Sequence, residues 1–167
     1  MKTTRPAAPG GPVVAIIRGH APDAVARIVD GLVAGGIATV EVTLDSPGAL
    51  ASIAAMAARG DVEAGAGTVL GQADADAAIA AGAGVLVAPH VDPAVVGAAT
   101  ARGIPMLPGA LTPTEVVAAW DAGAAAVKLF PAMPLGPAYL AALRGPLAHV
   151  PLVPTGGIDD RNAAAFV

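Results

Sequence analysis

Hydrophobic and polar positions follow a regular rhythm along this chain. Short runs rich in Val, Ile and Leu are separated by longer alanine-rich segments with helical spacing, and the runs begin every 20 to 26 residues. That interval leaves room for one helix and two short loops, so it predicts repeated βα units around a parallel sheet. The seven runs are VVAIIR from Val13, TVEVTL from Thr39, VEAGAGTV from Val62, VLVAP from Val85, PMLPGA from Pro105, AVKLFP from Ala126 and PLVPTGG from Pro151.

The segments between these runs predict six helices. Their starts carry capping signals in Asp45-Ser46-Pro47, Asp92-Pro93 and Thr112-Pro113-Thr114-Glu115. Glycines close five of them, as is usual at a helix C-terminus. The predicted helices span residues 22–34, 47–58, 72–81, 93–101, 112–122 and 137–143.

Seven β runs joined by right-handed crossovers fit either a doubly wound sheet or a (β/α)8 barrel. The barrel is favoured because the units are similar in length and the first βα turn lacks a G-x-G-x-x-G fingerprint. We therefore expect an α/β fold, a TIM-type barrel with about seven βα units, since the chain ends early. Residues 1–12 are predicted to form a flexible tail and 13–167 the barrel domain, truncated at its C-terminus.

Composition excludes several classes of function. Of 167 residues, 2% are aromatic and the net charge is -4, which argues against a nucleic-acid partner. The chain has no cysteine and three scattered histidines, so a metal site is not expected. No apolar stretch of about 18 residues occurs, which predicts no membrane span and a cytoplasmic protein.

Lys128 is the first candidate for chemistry. It lies within the apolar run AVKLFP, and Lys2 is the only other lysine in the sequence. Burial lowers the pKa of an amine, and a neutral amine attacks carbonyl carbons. The alternative is a lysine at a strand edge that reaches solvent.

Glu41 is the second candidate, in the middle of TVEVTL. Strand alternation places Val40 and Val42 on one face and Glu41 on the other. If Glu41 points inward like Lys128, the two groups suit general acid/base chemistry. The alternative is a structural ion pair between them.

Further candidates lie at the ends of the β runs. Arg18 ends the first run, at the rim where barrel active sites are built, and could clamp a carboxylate; alone, it could equally be a solvated loop residue. Thr68 supplies a hydroxyl, Pro89 shapes a wall, and Gly156-Gly157 offer backbone amides to an anion. Glycines at strand ends also commonly serve turns.

Four motifs, GGIATVEVTLDSP, GAGTVL, KLFPA and VPTGG, occur in this order. In order and spacing they resemble the 2-dehydro-3-deoxy-6-phosphogluconate (KDPG) aldolase family, which includes 2-dehydro-3-deoxy-6-phosphogalactonate (KDPGal) aldolase and 4-hydroxy-2-oxoglutarate (KHG) aldolase. The resemblance runs from about Val13 to the end. It implies a class I aldolase that yields pyruvate and glyceraldehyde 3-phosphate from a phosphorylated sugar acid, without metal or other cofactor, as a homotrimer.

The resemblance also implies roles for single residues. Lys128 corresponds to the Schiff-base lysine and Glu41 to the proton-transfer glutamate. The positions that match substrate-binding residues are Thr68 for the keto-acid carboxylate, Pro89 and Phe130 for the pocket, and Gly156 and Gly157 for the phosphate.

Two departures from the family pattern change these expectations. Asp45 stands where KDPG-type members often carry an arginine, whereas Arg18 is placed as in the KDPGal-type branch. We therefore assign the carboxylate clamp to Arg18 and expect Asp45 to do no more than cap a helix. The eighth unit is not present in this sequence, so alternatives are KHG aldolase activity, an inactive truncated barrel, or a phosphosugar isomerase or epimerase that uses Glu41 alone.

Overall fold

The computed structural model describes residues 5–166, so residues 1–4 of the predicted tail and Val167 lie outside it. Within that range, strands and helices alternate as the sequence rhythm predicts. The elements are β1 (Val14–Ile17), α1 (Pro22–Ala34), β2 (Thr39–Thr43), α2 (Ala49–Ala57), β3 (Glu63–Gly67), α3 (Gln72–Ala80), β4 (Val85–Val87), α4 (Pro93–Ala101), β5 (Met106–Leu107), β6 (Gly109–Ala110), α5 (Pro113–Asp121), β7 (Val127–Leu129), α6 (Gly136–Arg144), β8 (Leu152–Pro154) and a 3-10 helix (Ala163–Phe166).

All strand pairs are parallel and join neighbours in the sequence. One sheet has the order β1-β2-β3-β4-β5 and the second has the order β6-β7-β8. Strands β5 and β6 are the two halves of the predicted fifth run, which is divided at Pro108 because proline has no N–H to donate to a ladder. The α/β TIM-type barrel architecture is therefore confirmed, with seven strand runs in the described residues.

Two apolar layers surround the strands. The outward side chains, among them Val40, Val42 and Val127, are fully buried against the helices. The inward layer consists of Val85, Val87, Leu107 and Ala126, with Val153 packed against them. Buried parallel strands of this kind are expected where helices cover the outside of a barrel.

Capping chemistry explains most helix starts. The Asp92 carboxylate accepts hydrogen bonds from the first amides of α4, and Thr112 and Glu115 form a capping box on α5. The predicted cap at Asp45 is wrong. Helix α2 begins only after Gly48, whose φ of 65° is left-handed, and no side chain caps it. The Asp45 carboxylate instead accepts a hydrogen bond from Arg18.

Part of the predicted tail contacts the domain. The Arg5 guanidinium lies 3.2 Å from the centroid of the Trp120 ring. The Thr39 hydroxyl donates to the carbonyl of Gly10 at 2.9 Å. The flexibility of this segment stays a prediction. Among the described residues, no helix is both long and apolar enough to cross a membrane.

Candidate active site

Strands β2 and β7 carry the two candidate reactive groups on the inward face of the sheet. Glu41 pairs with Gly65, which in turn pairs with Val85 of the inner apolar layer. Lys128 pairs with Val153, which packs against the same layer. Partners in a parallel ladder point to the same side, so Glu41 and Lys128 both face the interior. Both are buried, with 2% of Glu41 and 7% of Lys128 exposed.

Glycines of β3 make room for the Glu41 carboxyl. A β-carbon added at Gly67 would lie 2.7 Å from Oε1 of Glu41, and one added at Gly65 would lie 3.1 Å from its Cβ. Real β-carbons do not approach oxygen this closely, so the side-chain space of β3 is filled by the carboxyl group. The slim third strand expected from GAG therefore has a specific use.

A second close approach lies beside Lys128. Gly109 pairs with Lys128, and a β-carbon on Gly109 would lie 2.4 Å from the carbonyl of Pro89. The end of β4 thus comes against β6 next to the amine, which brings Pro89 to the site. The Lys128 Nζ also lies 5.1 Å from the centroid of the Phe130 ring, within cation–π range when the amine is charged.

Burial opposes the charge on both groups. It raises the pKa of the Glu41 carboxyl, and the charges of Lys128 and then Arg18 partly counter that rise. Burial lowers the pKa of the Lys128 amine; Glu41 opposes this lowering, and Arg18 adds to it. A buried amine with a lowered pKa is a better nucleophile at neutral pH, and a carboxyl with a raised pKa can both give and take a proton.

The alternative of a structural ion pair is not what the geometry favours. Among the salt bridges of residues 5–166, none joins Lys128 to Glu41. The two charges influence each other's pKa without direct contact. Space therefore remains between them on the inner face, as a substrate carbon placed between a nucleophile and a proton carrier requires.

The rim above them holds Arg18. Its Nη2 donates to the Thr68 hydroxyl at 2.9 Å, and its Nη1 donates to the Asp45 carboxylate. The Arg18 side chain is 55% exposed and the Asp45 side chain 50% exposed. Thr68 adopts a φ of 60°, which is strained for a β-branched residue and typical of functional sites.

Asp45 is the functional-site neighbour that the sequence reasoning missed. Its pKa is lowered, first by the Thr43 hydroxyl and also by Arg18. A signal was present in the sequence, because Arg18 follows β1 by one residue and Asp45 follows β2 by two, and parallel neighbours end at the same edge. Opposite charges at that position predict a contact.

Strands β7 and β8 end in a loop pair suited to an anion. Gly156 and Gly157 have φ values of 93° and 75°. A β-carbon on Gly156 would lie 3.0 Å from the Phe130 ring, and one on Gly157 would lie 2.7 Å from Cβ of Met133. Within residues 5–166 neither of these two amides donates a backbone hydrogen bond, while the loop is fixed through Thr155, whose N–H donates to Leu129. Free amides in such a loop can bind phosphate.

Comparison with known proteins identifies the family. The sequence model described as KDPG and KHG aldolase matches residues 8–167. The chain belongs to the KDPG and KHG aldolase family. A probable 2-dehydro-3-deoxy-6-phosphogalactonate aldolase of Rhizobium meliloti is 37% identical over 158 residues, which cover 93% of this chain and 74% of the relative.

Solved structures of the aldolase family share the fold. A structure described as native KDPGal is 34% identical with a TM-score of 0.91, over 96% of this chain and 80% of that one. KDPG aldolase of Legionella pneumophila, with pyruvate captured at low pH as a covalent carbinolamine intermediate, is 30% identical with a TM-score of 0.82. That match covers 92% of this chain and 75% of the Legionella chain. The family resemblance seen in the four motifs is therefore confirmed.

Proposed function

We propose that this chain is a class I aldolase that cleaves a 2-keto-3-deoxy-6-phospho-sugar acid to pyruvate and glyceraldehyde 3-phosphate. The observation that carries the proposal is Lys128, a buried amine with a lowered pKa, which shares the inner face of the barrel with Glu41. Membership of the KDPG and KHG aldolase family supports it. The covalent pyruvate intermediate of the Legionella relative supports the nucleophilic mechanism.

The first step in this mechanism is attack by the neutral Lys128 amine on the substrate ketone. The new C–N bond gives a carbinolamine, whose hydroxyl takes a proton and leaves as water. The product is a protonated imine, which accepts electrons from the bond next to it. Desolvation favours this step, because burial keeps a larger fraction of the amine unprotonated than water would.

Carbon–carbon cleavage then requires a base. Glu41, through a water molecule, takes the proton from the hydroxyl on the carbon that becomes the aldehyde. The electron pair of the broken bond moves into the imine, which leaves pyruvate attached as an enamine. The same carboxyl returns a proton to the enamine carbon, and hydrolysis releases pyruvate and the free amine. The protonated imine is the electron sink, so we propose that no metal is needed.

The remaining candidates hold the two ends of the substrate. Arg18 and Thr68 are joined by a hydrogen bond of 2.9 Å and would bind the keto-acid carboxylate. Gly156 and Gly157 would bind the phosphate through their amides. Phe130 lies between these two groups, beside Lys128 and against Gly156, and with Pro89 forms the wall of the pocket.

Borohydride reduction in the presence of pyruvate tests the proposal. We expect a stable adduct with the mass of one reduced pyruvyl group on Lys128, and no adduct in Lys128→Ala or Lys128→Arg. The isomerase or epimerase alternative predicts that Lys128→Arg keeps its activity. Absence of an adduct in folded protein, or an adduct that survives Lys128→Ala, would exclude the mechanism.

Two finer properties are proposed with it. Pyruvate release from the KDPG, KDPGal and KHG substrates, measured side by side, would distinguish a phosphorylated substrate from 4-hydroxy-2-oxoglutarate, and chelator should leave the rate unchanged. The family resemblance also leads us to propose a homotrimer. Light scattering after size-exclusion chromatography would give a mass three times that of the 16.0 kDa chain.

A further inference from the structure

Two loops at the rim of the barrel are joined by a double contact. The loop after β1 carries Arg18 and Gly19, and the loop after β2 carries Asp45 and Ser46. The Arg18 guanidinium pairs with the Asp45 carboxylate, and the Gly19 amide donates to the Ser46 hydroxyl at 2.8 Å. Consecutive residues of one loop thus bind consecutive residues of the other, which fixes the register between them.

Asp45 is held by its neighbours rather than by Arg18 alone. Ser46 is 6% exposed and Thr43 is fully buried, and their hydroxyls lie 3.0 Å apart. The backbone amide of Ser46 donates to the Thr43 carbonyl at 2.9 Å, which closes a turn around Asp45. The carboxylate is therefore presented from a rigid, buried base, although it lies half-exposed itself.

Arg18 is held from its other side by Thr68, so its guanidinium bridges two residues from two different strands. A long side chain that is 55% exposed would otherwise sample many rotamers, and ordering it on substrate binding would reduce affinity. Two fixed acceptors remove most of that loss before the substrate arrives.

We propose that Asp45 is a positioning residue, which holds Arg18 against Thr68 in the orientation that binds the keto-acid carboxylate. This inference rests on the proposed function. It makes a specific statement about charge. Asp45 acts through the place of its oxygen, while its negative charge competes with the incoming carboxylate for the same guanidinium. An amide in its place should keep the first effect and lose the second.

The test compares Asp45→Asn with Asp45→Ala. The readout is the pyruvate concentration that gives half-maximal borohydride trapping on Lys128, with the maximal extent of trapping measured separately. We expect Asp45→Ala to raise the half-saturating concentration about five- to tenfold and leave the maximal extent unchanged, as for a residue that orders a binding group. Asp45→Asn should stay within about twofold of the parent protein, or bind more tightly.

Two controls separate positioning from a general effect of the loop. In an Arg18→Ala background, Asp45→Ala should change nothing further, because the group that it positions is gone. Asp61→Ala breaks an exposed ion pair with Arg59 away from the rim and should leave trapping unchanged. Thermal melts verify that each variant is folded, and Asp45→Ser replaces Asp45→Ala if the latter does not fold.

Several outcomes would overturn the inference. These are unchanged half-saturation in the truncated variants, an Asp45→Asn protein as weak as Asp45→Ala, or an effect that persists without Arg18. They are distinct from failure of the proposed function. If the parent protein gives no adduct on Lys128 at any pyruvate concentration, the aldolase mechanism and this inference both fail, whereas a normal parent adduct isolates the result to Asp45.

Discussion

Gly67 lies against Glu41 so closely that a β-carbon added to it would be 2.7 Å from the carboxyl oxygen Oε1. The same added atom would lie 3.2 Å from the Thr43 side chain, so neither side offers room. Strand β3 therefore supplies the volume that a buried carboxyl on β2 occupies. The position of the proposed proton carrier depends on an absent side chain two residues beyond its direct pairing partner, Gly65.

Gly67→Ala should therefore impair catalysis by moving Glu41. We expect kcat/KM for aldol cleavage to fall about 10- to 100-fold, because a displacement below 1 Å misaligns a proton transfer. Borohydride trapping of pyruvate on Lys128 should persist, since imine formation depends on the amine. The measurement is steady-state cleavage beside trapping by mass spectrometry.

Gly71→Ala is the matched control for that experiment. It lies in the loop after the same strand, in extended backbone, and a β-carbon there meets nothing within 4 Å. Equal losses in Gly67→Ala and Gly71→Ala would show that any alanine in this region impairs the enzyme, and would contradict the steric argument.

The sequence predicted the fold closely because each local signal agreed with the next. Helices 22–34 and 93–101 were predicted to the residue, since a proline marks each start and glycine follows each end. The strands were also found where predicted, but with shorter ladders. The fifth run divided at Pro108, because periodicity registers apolar character and does not register a missing donor.

The candidate site was predictable only in part. Lys128 and Glu41 stood out because a charge inside an apolar strand demands an explanation. The use of Asp45 could not be read from its neighbours, since Asp-Ser-Pro is also a good helix start and only the φ of Gly48 delays the helix. Contacts such as Gly109 against Pro89 depend on how two strands approach, which no spacing along the chain specifies.

The raised pKa of Glu41 predicts a pH-dependent cost in stability. The folded state holds the proton of this carboxyl more tightly than the unfolded state, so stability from the protonated form is lost as pH rises above the ordinary value of 4.5 through the folded pKa. Glu41→Gln should therefore increase the free energy of unfolding at pH 7 to 8, as measured by urea denaturation. The gain should disappear as the pH falls below 4.5.

Glu115 provides a control of opposite sign. Hydrogen bonds from the Leu111 and Thr112 amides and the Thr112 hydroxyl lower its pKa, so its ionised form stabilises the fold. Glu115→Gln should lower the free energy of unfolding above pH 4.5, and this loss should shrink as the pH falls through the folded pKa. If both variants respond to pH with the same sign, the burial argument for Glu41 is wrong.

The capping box of α5 predicts a defined loss of stability. Thr112→Ala removes the hydroxyl that accepts from the Glu115 amide at 3.3 Å, and should lower the free energy of unfolding by about 1 kcal/mol. Thr114→Ala lies two residues further on, exposed and without a side-chain hydrogen bond in the described residues, and should change it by less than about 0.5 kcal/mol. Urea denaturation at one pH compares the two, and equal effects would exclude the cap as the cause.

Gly157 tests the proposed phosphate site. Its φ is 75°, and an added β-carbon would lie 2.7 Å from Cβ of Met133, so Gly157→Ala should shift the loop whose amides face the anion. We expect kcat/KM for a phosphorylated substrate to fall about tenfold or more, mainly through KM. Pyruvate trapping on Lys128 should stay at the parent level, because pyruvate has no phosphate to bind.

Gly136→Ala separates this effect from backbone strain. Gly136 has a φ of 72°, close to that of Gly157, but a β-carbon there meets nothing within 4 Å. Both variants share the conformational penalty of an alanine in the left-handed region, and only Gly157→Ala adds the clash. A selective loss of phosphorylated substrate in Gly157→Ala alone supports the anion site. A parallel loss in both variants, or weaker pyruvate trapping in Gly157→Ala, would place the phosphate elsewhere.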